Sequence, residues 1–344
     1  MDSATLGEWS RYVVSGAVAA FIVAWLAYCA ETAYRARSRR TAAPDEREVV
    51  AVGATQMHNG ASPTAGVSSV GSTGSLQDGR ATDGNGEPDA GDGVDPVRQM
   101  AGIGFSVSVL ATLLLAAGVV MRAIGVSRAP WGNMYEFSIT ASLVASVVFL
   151  AVARSRVGRA LAVWIVLLIF LALGLAVTVL YLPPGPLVPA LRSYWLVIHV
   201  GAAVLAFGLF TVAAVVSALQ IMSERAEAKG VGSGFAAALP ASSTLDRLAY
   251  RLIAVGFPVW TFGPLIMGAI WAEASWGRYW GWDPKEVWAL ITWLAYAAFL
   301  HARATAGWKG SKASAVSLVA YGTVLFSYFG VNILFNGLHS YGGL

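Results

Sequence analysis

The chain has 344 residues, of which 57% are hydrophobic and only 12% are charged. About 25% of the residues of an ordinary soluble domain are charged, so this composition excludes that class. The net charge of +4 is mild, and we expect no nucleic-acid partner. Cys29 is the one cysteine, which excludes an internal disulfide or a CxxC redox pair.

Several apolar segments reach the roughly 20 residues needed to cross a bilayer, which predicts an all-α, polytopic integral membrane protein with about eight transmembrane helices. The first segment lies in an N-terminal transmembrane anchor, 1–35, with no evident cleavable signal. Residues 36–100 are rich in Gly, Ser and Asp, so we expect a disordered linker in which His58 is solvated. Residues 101–344 form the main transmembrane domain. The eight predicted segments are 12–30, 101–121, 134–153, 160–181, 195–220, 250–271, 285–303 and 314–336.

The lysines and arginines predict the orientation. With the N-terminus outside, 17 of the 23 basic residues fall on the inner side of the membrane. The positive-inside rule therefore places both termini on the outer, extracytoplasmic side and the linker in the cytoplasm. His199 and His339 then lie at the outer side. His301 lies near the inner side, about 25 Å from Asp283 along its helix.

The most unusual stretch runs from Trp276 to His301 and reads WGRYWGWDPKEVWALITWLAYAAFLH. Asp283 is a suitable N-cap, Pro284 suits the first helical position and Glu286 completes a capping box, so a helix is predicted to begin there. The tryptophans before it are typical of a membrane-interface belt or of a platform for a flat aromatic ligand. The residues alone leave both interpretations open.

This stretch resembles the WWD signature of the CcsA/CcsB (ResC) family, the haem-handling membrane proteins of the System II cytochrome c synthetase. The resemblance covers about 101–344 and implies a WWD loop at 272–288 on the extracytoplasmic side of a bacterial plasma membrane. It implies a role in cytochrome c biogenesis: haem b is moved from the cytoplasmic side and presented for attachment to the CxxCH motif of apocytochrome c. A ResB-type membrane partner is also implied. The lyase-type thioether formation belongs to the complex, and the share of this chain in it stays open.

A second, weaker match is RAPWGNMYEFS, in which Pro130, Asn133, Tyr135 and Glu136 fit the family pattern. Asn133 is a predicted helix cap. Glu136 at membrane depth needs a partner, and we expect a structural ion pair with an outer arginine.

Histidine is a usual axial ligand of haem iron. His199 and His339 are therefore the candidate iron ligands and the catalytic pair, and the resemblance tilts His301 towards a haem role on the entry side. Each has a plainer alternative: a hydrogen bond inside the bundle for His199, solvation for His339, and an interfacial helix end for His301. The other candidates for binding the cofactor are Trp276, Trp280, Trp282, Trp288, Arg278, Lys285 and Asp283, with Arg128 and Arg192 as further partners for propionates. Asp283 has the alternative of only capping its helix.

Pro258 and Pro264 predict a kink in the sixth segment, with a packing role as the alternative.

Two other functions fit the same residues. A bis-histidine site also suits a cytochrome b-type electron-transfer subunit, and an aromatic belt suits a transporter of another amphipathic substrate. Stable stoichiometric haem with normal cytochrome c maturation in a deletion strain would favour the first, and absence of haem would favour the second.

Overall fold

A computed structural model describes residues 3–42, 95–185, 191–230 and 238–339. Within these ranges the chain forms eight helices that are long and apolar enough to cross a membrane, and no strand. The prediction of an all-α, multi-pass membrane protein is confirmed. The helices are α1 (Ser3–Ala42), α2 (Pro96–Gly125), α3 (Met134–Ala153), α4 (Arg156–Thr178), α5 (Tyr194–Ala228), α6 (Ser242–Trp276), α7 (Pro284–Thr305) and α8 (Gly310–Leu334).

The predicted helix ends differ from the observed ones mainly where a helix continues beyond its apolar run. The prediction 134–153 coincides with α3, whereas α5 continues to Ala228 because residues such as Glu224 are compatible with a helix outside the hydrocarbon layer. Both ends of the predicted linker 36–100 are helical, since α1 ends at Ala42 and α2 begins at Pro96. Residues 43–94, with His58, lie outside the described part of the chain.

The helices pack in two groups that share α5. In the first group, Phe21 of α1 and Phe149 of α3 are fully buried, in one apolar cluster with Val216 of α5. In the second, Phe210 of α5 stacks on Tyr296 of α7 with ring centroids 3.8 Å apart. Helix α5 therefore joins the second group to the first, together with Leu245 of α6 and Tyr328 of α8, which lie in the first cluster.

Helix α1 belongs to the bundle rather than standing apart from it. Its Tyr28 packs edge-on against Phe149, with ring centroids 6.1 Å apart, and accepts a hydrogen bond from Ser108 of α2. Its Val14 and Phe21 are fully buried. The predicted N-terminal anchor thus contributes to the core of the first helix group.

Two of the helices within the described ranges contain a π-helical segment. In α6 it covers Thr261–Met267 and includes Pro264, while Pro258 lies in the regular α-helix before it. The kink predicted at Pro258 and Pro264 stays a prediction, and the structure adds a π segment that includes Pro264. In α8 the segment covers Phe326–Gly330. Both occur next to the cavity described below, and such segments are frequent at functional sites.

Candidate functional site

A cavity of about 190 Å³ lies where α5 and α7 begin and α6 and α8 end. The segment that precedes α3 forms one of its sides. The lining side chains with polar or aromatic groups of interest are His199, His339, Trp131, Trp271, Trp280 and Lys285. This cavity is the candidate site.

His199 comes from the second turn of α5, a helix that begins after the N-cap Ser193. Its Nδ1 lies 3.0 Å from the carbonyl oxygen of Gly263, in the π segment of α6. Because a carbonyl can only accept, Nδ1 carries the proton and donates it. Nε2 then keeps a lone pair, which is the form of imidazole that binds a metal. Gly268 allows this close approach, since an added Cβ would lie 3.0 Å from the imidazole Cε1.

His339 follows α8 and is held by the start of α7. Its Nδ1 lies 2.7 Å from Oδ1 of Asp283, and the carboxylate also accepts the backbone N–H groups of Leu338 and Lys285, at 2.7 and 3.1 Å. Gly337 permits this approach, because a Cβ there would collide with the Asp283 carboxylate. An ionised carboxylate only accepts, so Nδ1 of His339 donates and Nε2 is again the nitrogen left for another partner.

Asp283 combines two roles. It is the N-cap of α7, and the predicted capping box is confirmed, because Glu286 accepts the backbone N–H of Asp283 at 3.0 Å. Burial alone opposes ionisation of this carboxyl. The hydrogen bond from His339 and the backbone N–H groups of Lys285 and Leu338 outweigh burial and hold the pKa of Asp283 below its ordinary value. Asp283 is therefore an ionised hydrogen-bond acceptor at neutral pH.

One buried indole contacts both imidazoles. The ring of Trp271 is parallel to that of His199, with centroids 5.7 Å apart, and lies 5.4 Å from that of His339. Trp276 packs edge-on against His339 at 4.9 Å and against Trp271 at 4.7 Å. The structure thus brings the two predicted iron-ligand candidates to one cavity, against a shared aromatic wall.

The other tryptophans of the motif have different surroundings. Trp280 lines the cavity and packs edge-on against Trp282, with ring centroids 5.7 Å apart. Trp282 is 70% exposed and has a left-handed φ of 58°, which is strained for a residue with a Cβ. Trp288 packs on Phe326 at 4.0 Å and is absent from the lining residues that the structure describes.

Two cationic side chains of the motif are also positioned locally. Nζ of Lys285 donates to Oδ1 of Asn332 at 2.6 Å, and the Asn332 amide donates to the carbonyl of Tyr328, in the π segment of α8. Lys285 and Asn332 both line the cavity, so the ammonium group is held at its wall. The guanidinium of Arg278 lies against Gly281.

Glu136 forms the predicted structural ion pair, and with two arginines. Its carboxylate accepts hydrogen bonds from Nε of Arg122 at 2.9 Å and from Nη1 of Arg128 at 2.6 Å, and the side chains of Arg122 and Glu136 are fully buried. Glu136 also accepts the backbone N–H of Gly132 at 2.8 Å, next to Trp131 in the cavity wall. Arg128, an expected propionate partner, is therefore engaged by Glu136. Asn133 caps α3 as predicted.

The remaining basic candidates lie elsewhere. His301 is exposed in the last turns of α7, while the cavity is at the start of that helix. The structure does not bring its side chain together with His199 and His339. Arg192 is exposed in the segment before α5.

Sequence reasoning assigned no role to Trp131, Trp271 or Asn332, which all line the cavity. Asn332 offered a signal, because a polar amide in an apolar segment needs a partner. Trp131 stood within the second motif, but only as one of its letters. Trp271 gave no signal, since a tryptophan near a helix end is ordinary in a membrane protein.

The fold and the cavity define a polytopic helical membrane protein whose candidate site contains two imidazoles, an aromatic wall and the ammonium group of Lys285. The family described as Cytochrome C assembly protein matches residues 131–339. This chain belongs to that family. Helices α1 and α2 precede the matched part.

Curated relatives agree with this assignment. The cytochrome c biogenesis protein CcsA of Gloeobacter violaceus is 35% identical over 301 residues, which cover 70% of this chain and 87% of that protein. The CcsA of Chlamydomonas reinhardtii is 42% identical, over 46% of this chain and 43% of its own length. The CcsA of Parasynechococcus marenigrum is 41% identical, over 46% of this chain and 58% of its own length. The chain thus spans about half the length of the latter two relatives.

Proposed function

We propose that this chain takes part in cytochrome c biogenesis by holding haem in the cavity, with His199 and His339 as axial ligands. The observation that carries the proposal is that the two imidazoles are hydrogen-bonded to the protein through the same ring nitrogen. Each uses Nδ1 to bind a protein acceptor and keeps Nε2 for another partner, and both line one cavity. This is how metal-binding histidines are oriented by their second shell.

The other cavity residues suit the rest of the haem molecule. Trp271 and Trp280 offer aromatic surface to the porphyrin, and Lys285 offers an ammonium to a propionate. The volume of about 190 Å³ is below the roughly 300–1,000 Å³ usual for small-molecule sites. A bound macrocycle would therefore extend beyond the cavity, and the exposed Tyr279 and Trp282 of the same loop would be available to contact it.

Haem b enters from the cytoplasmic side in this proposal, where the basic residues place His301, and is presented at the extracytoplasmic end. The chain works with a ResB-type partner in the bacterial plasma membrane. The axial imidazoles hold and orient the haem while the two thiols of a CxxCH motif in apocytochrome c add across its vinyl groups. Each S–H supplies both the new C–S bond and the hydrogen on the neighbouring carbon, so the addition needs no oxidant. The histidine of the motif then replaces one axial ligand.

Reduced-minus-oxidised spectra of the purified protein test this function. We expect a bis-histidine haem signal in the wild type and its loss in His199→Ala and His339→Ala, together with loss of holocytochrome c in cells. Added imidazole should restore both, because it replaces the missing ligand. His58→Ala is the matched control and should behave as wild type. Wild-type holocytochrome c yields in both cavity variants would contradict the proposal, and normal maturation in a deletion strain with stably bound haem would favour an electron-transfer subunit.

A further inference from the structure

The two candidate ligands differ in what holds them. Nδ1 of His339 donates to a carboxylate, that of Asp283, at 2.7 Å. Nδ1 of His199 donates to a neutral peptide carbonyl, that of Gly263, at 3.0 Å. The two imidazoles thus line the same cavity, but one is hydrogen-bonded to a charged acceptor and the other to a neutral one.

This difference has a predictable effect on a metal ligand. A charged acceptor makes a shorter and stronger hydrogen bond than a neutral one. By drawing the Nδ1 proton towards itself, it raises the basicity of the imidazole and so the strength of the metal bond at Nε2. His339 is therefore the stronger donor of the pair, and His199 the weaker.

Asp283 also determines where His339 lies. His199 is fixed by α5, but His339 follows the end of α8 at Leu334. The Asp283 carboxylate binds both the Leu338 backbone N–H and the His339 side chain, which ties this segment to the start of α7. One carboxylate thus fixes the place, the ring orientation and the donor strength of a single ligand.

Building on the proposed function, we propose that Asp283 is a positioning residue that makes His339 the retained axial ligand of haem and leaves His199 to be exchanged. The incoming histidine of an apocytochrome then replaces His199, the ligand that is hydrogen-bonded to a neutral peptide carbonyl. His339 keeps the haem in the cavity until that exchange is complete.

The test uses Asp283→Asn in two single-ligand backgrounds of the full chain. Asparagine remains a good N-cap. With its oxygen at the Oδ1 position it still accepts from the Lys285 N–H and from Nδ1 of His339, so the substitution removes the charge and the acceptor of the Leu338 N–H. In His199→Gly, where His339 alone holds haem, the substitution should speed haem transfer to apomyoglobin about tenfold or more. In His339→Gly, where His199 alone holds haem, it should leave the rate unchanged. Before Asp283 is altered, His199→Gly should lose haem more slowly than His339→Gly.

Equal acceleration in both backgrounds would overturn the inference, because it would mean a general effect on the fold or the local field. If neither single-ligand variant keeps haem, the midpoint potential of the two-histidine protein decides. Asp283→Asn should raise it more than Glu273→Gln, which removes an exposed charge two residues from Trp271, and equal shifts would again overturn the inference. A wild-type protein that binds no haem, or a His199→Gly/His339→Gly protein with an unchanged haem spectrum, would instead contradict the proposed function.

Discussion

The two ends of the second helix group, α5 to α8, use polar residues in different ways. At the end away from the cavity, Asp246 accepts both guanidinium nitrogens of Arg303, at 2.7 and 2.9 Å, and the backbone N–H of Gly310. Glu224 accepts the backbone N–H and the hydroxyl of Ser311. These carboxylates bind α6 to α7 and to the start of α8, and α5 to α8.

At the cavity end, the polar side chains line a cavity and are each held by a hydrogen bond to the protein. His199 and His339 use Nδ1 for a protein acceptor, and Lys285 makes one contact with Asn332. All three side chains line the cavity, together with Trp131, Trp271 and Trp280. One end is therefore closed by charge pairs that stabilise the fold, and the other is the end at which we propose that haem binds. Four substitutions test this contrast.

The largest expected effect is at Glu136, beside the cavity. Glu136→Gln leaves the buried Arg122 and its neighbour Arg128 without a counter-ion, and breaking a buried ion pair in this way costs about 3–5 kcal/mol of unfolding free energy. Thermal unfolding in detergent, followed by circular dichroism, measures the loss. Glu273→Gln, at an exposed position, is the control and should change little. Equal stability of the two variants would show that the cluster does not hold the segment carrying Trp131.

A smaller loss is expected at the far end. Arg303→Ala removes two hydrogen bonds to Asp246, a loss of about 1.5–3 kcal/mol in the free energy of unfolding. The haem spectrum of the folded fraction should not change, because the cavity lies at the other end of α7. Arg247→Ala is the matched control, on an exposed side chain next to Asp246. A spectral change in Arg303→Ala alone would contradict the separation of the two ends.

Lys285→Met tests the binding end. Methionine keeps much of the side-chain length and removes the ammonium, so haem affinity should fall roughly tenfold to hundredfold, the equivalent of a charge-assisted hydrogen bond. Haem titration measures the change. Lys309→Met, an exposed lysine at the far end, should bind haem like the wild type. Equal affinities of the two variants would show that no propionate reaches Lys285.

The smallest effect is expected at Trp282. Its side chain is 70% exposed and its φ is 58°, so Trp282→Gly removes strain and should raise stability by at most about 1 kcal/mol. Trp280→Gly, at a cavity-lining position, should instead lower stability because it loses packing. Thermal unfolding of both variants separates the two cases, and a destabilised Trp282→Gly would mean that the edge-on contact with Trp280 contributes more than the strain costs.

Local patterns predicted much of the molecule. The apolar runs gave the eight helices, since a membrane helix satisfies its own backbone groups and shows itself in about 20 consecutive residues. The cap at Asp283 and the ion pair of Glu136 were also predicted, because capping and buried charge follow from residue type and short spacing. Helix ends were less well predicted, as at Ala228, because a helix can continue where its residues become polar.

The contacts that hold the two histidines could not be predicted from the sequence. The sequence left Asp283 with two interpretations, a helix cap or a residue that binds the cofactor. The structure shows that it caps α7 and also accepts a hydrogen bond from His339. The pairing of His199 with Gly263 depends on a π segment that leaves no mark beyond Pro264. Trp271 joins the two histidines from a position that gave no signal.

The sequence by itself determined the class of the protein, its helices and the histidines that are candidates for binding iron, because hydrophobicity, capping and side-chain chemistry act within a few residues. Only the tertiary structure decided which histidines share a cavity and what holds each of them. Those hydrogen bonds join residues 56 and 64 positions apart. Such contacts arise from how α5, α6, α7 and the segment after α8 pack together, which no single stretch of the chain specifies.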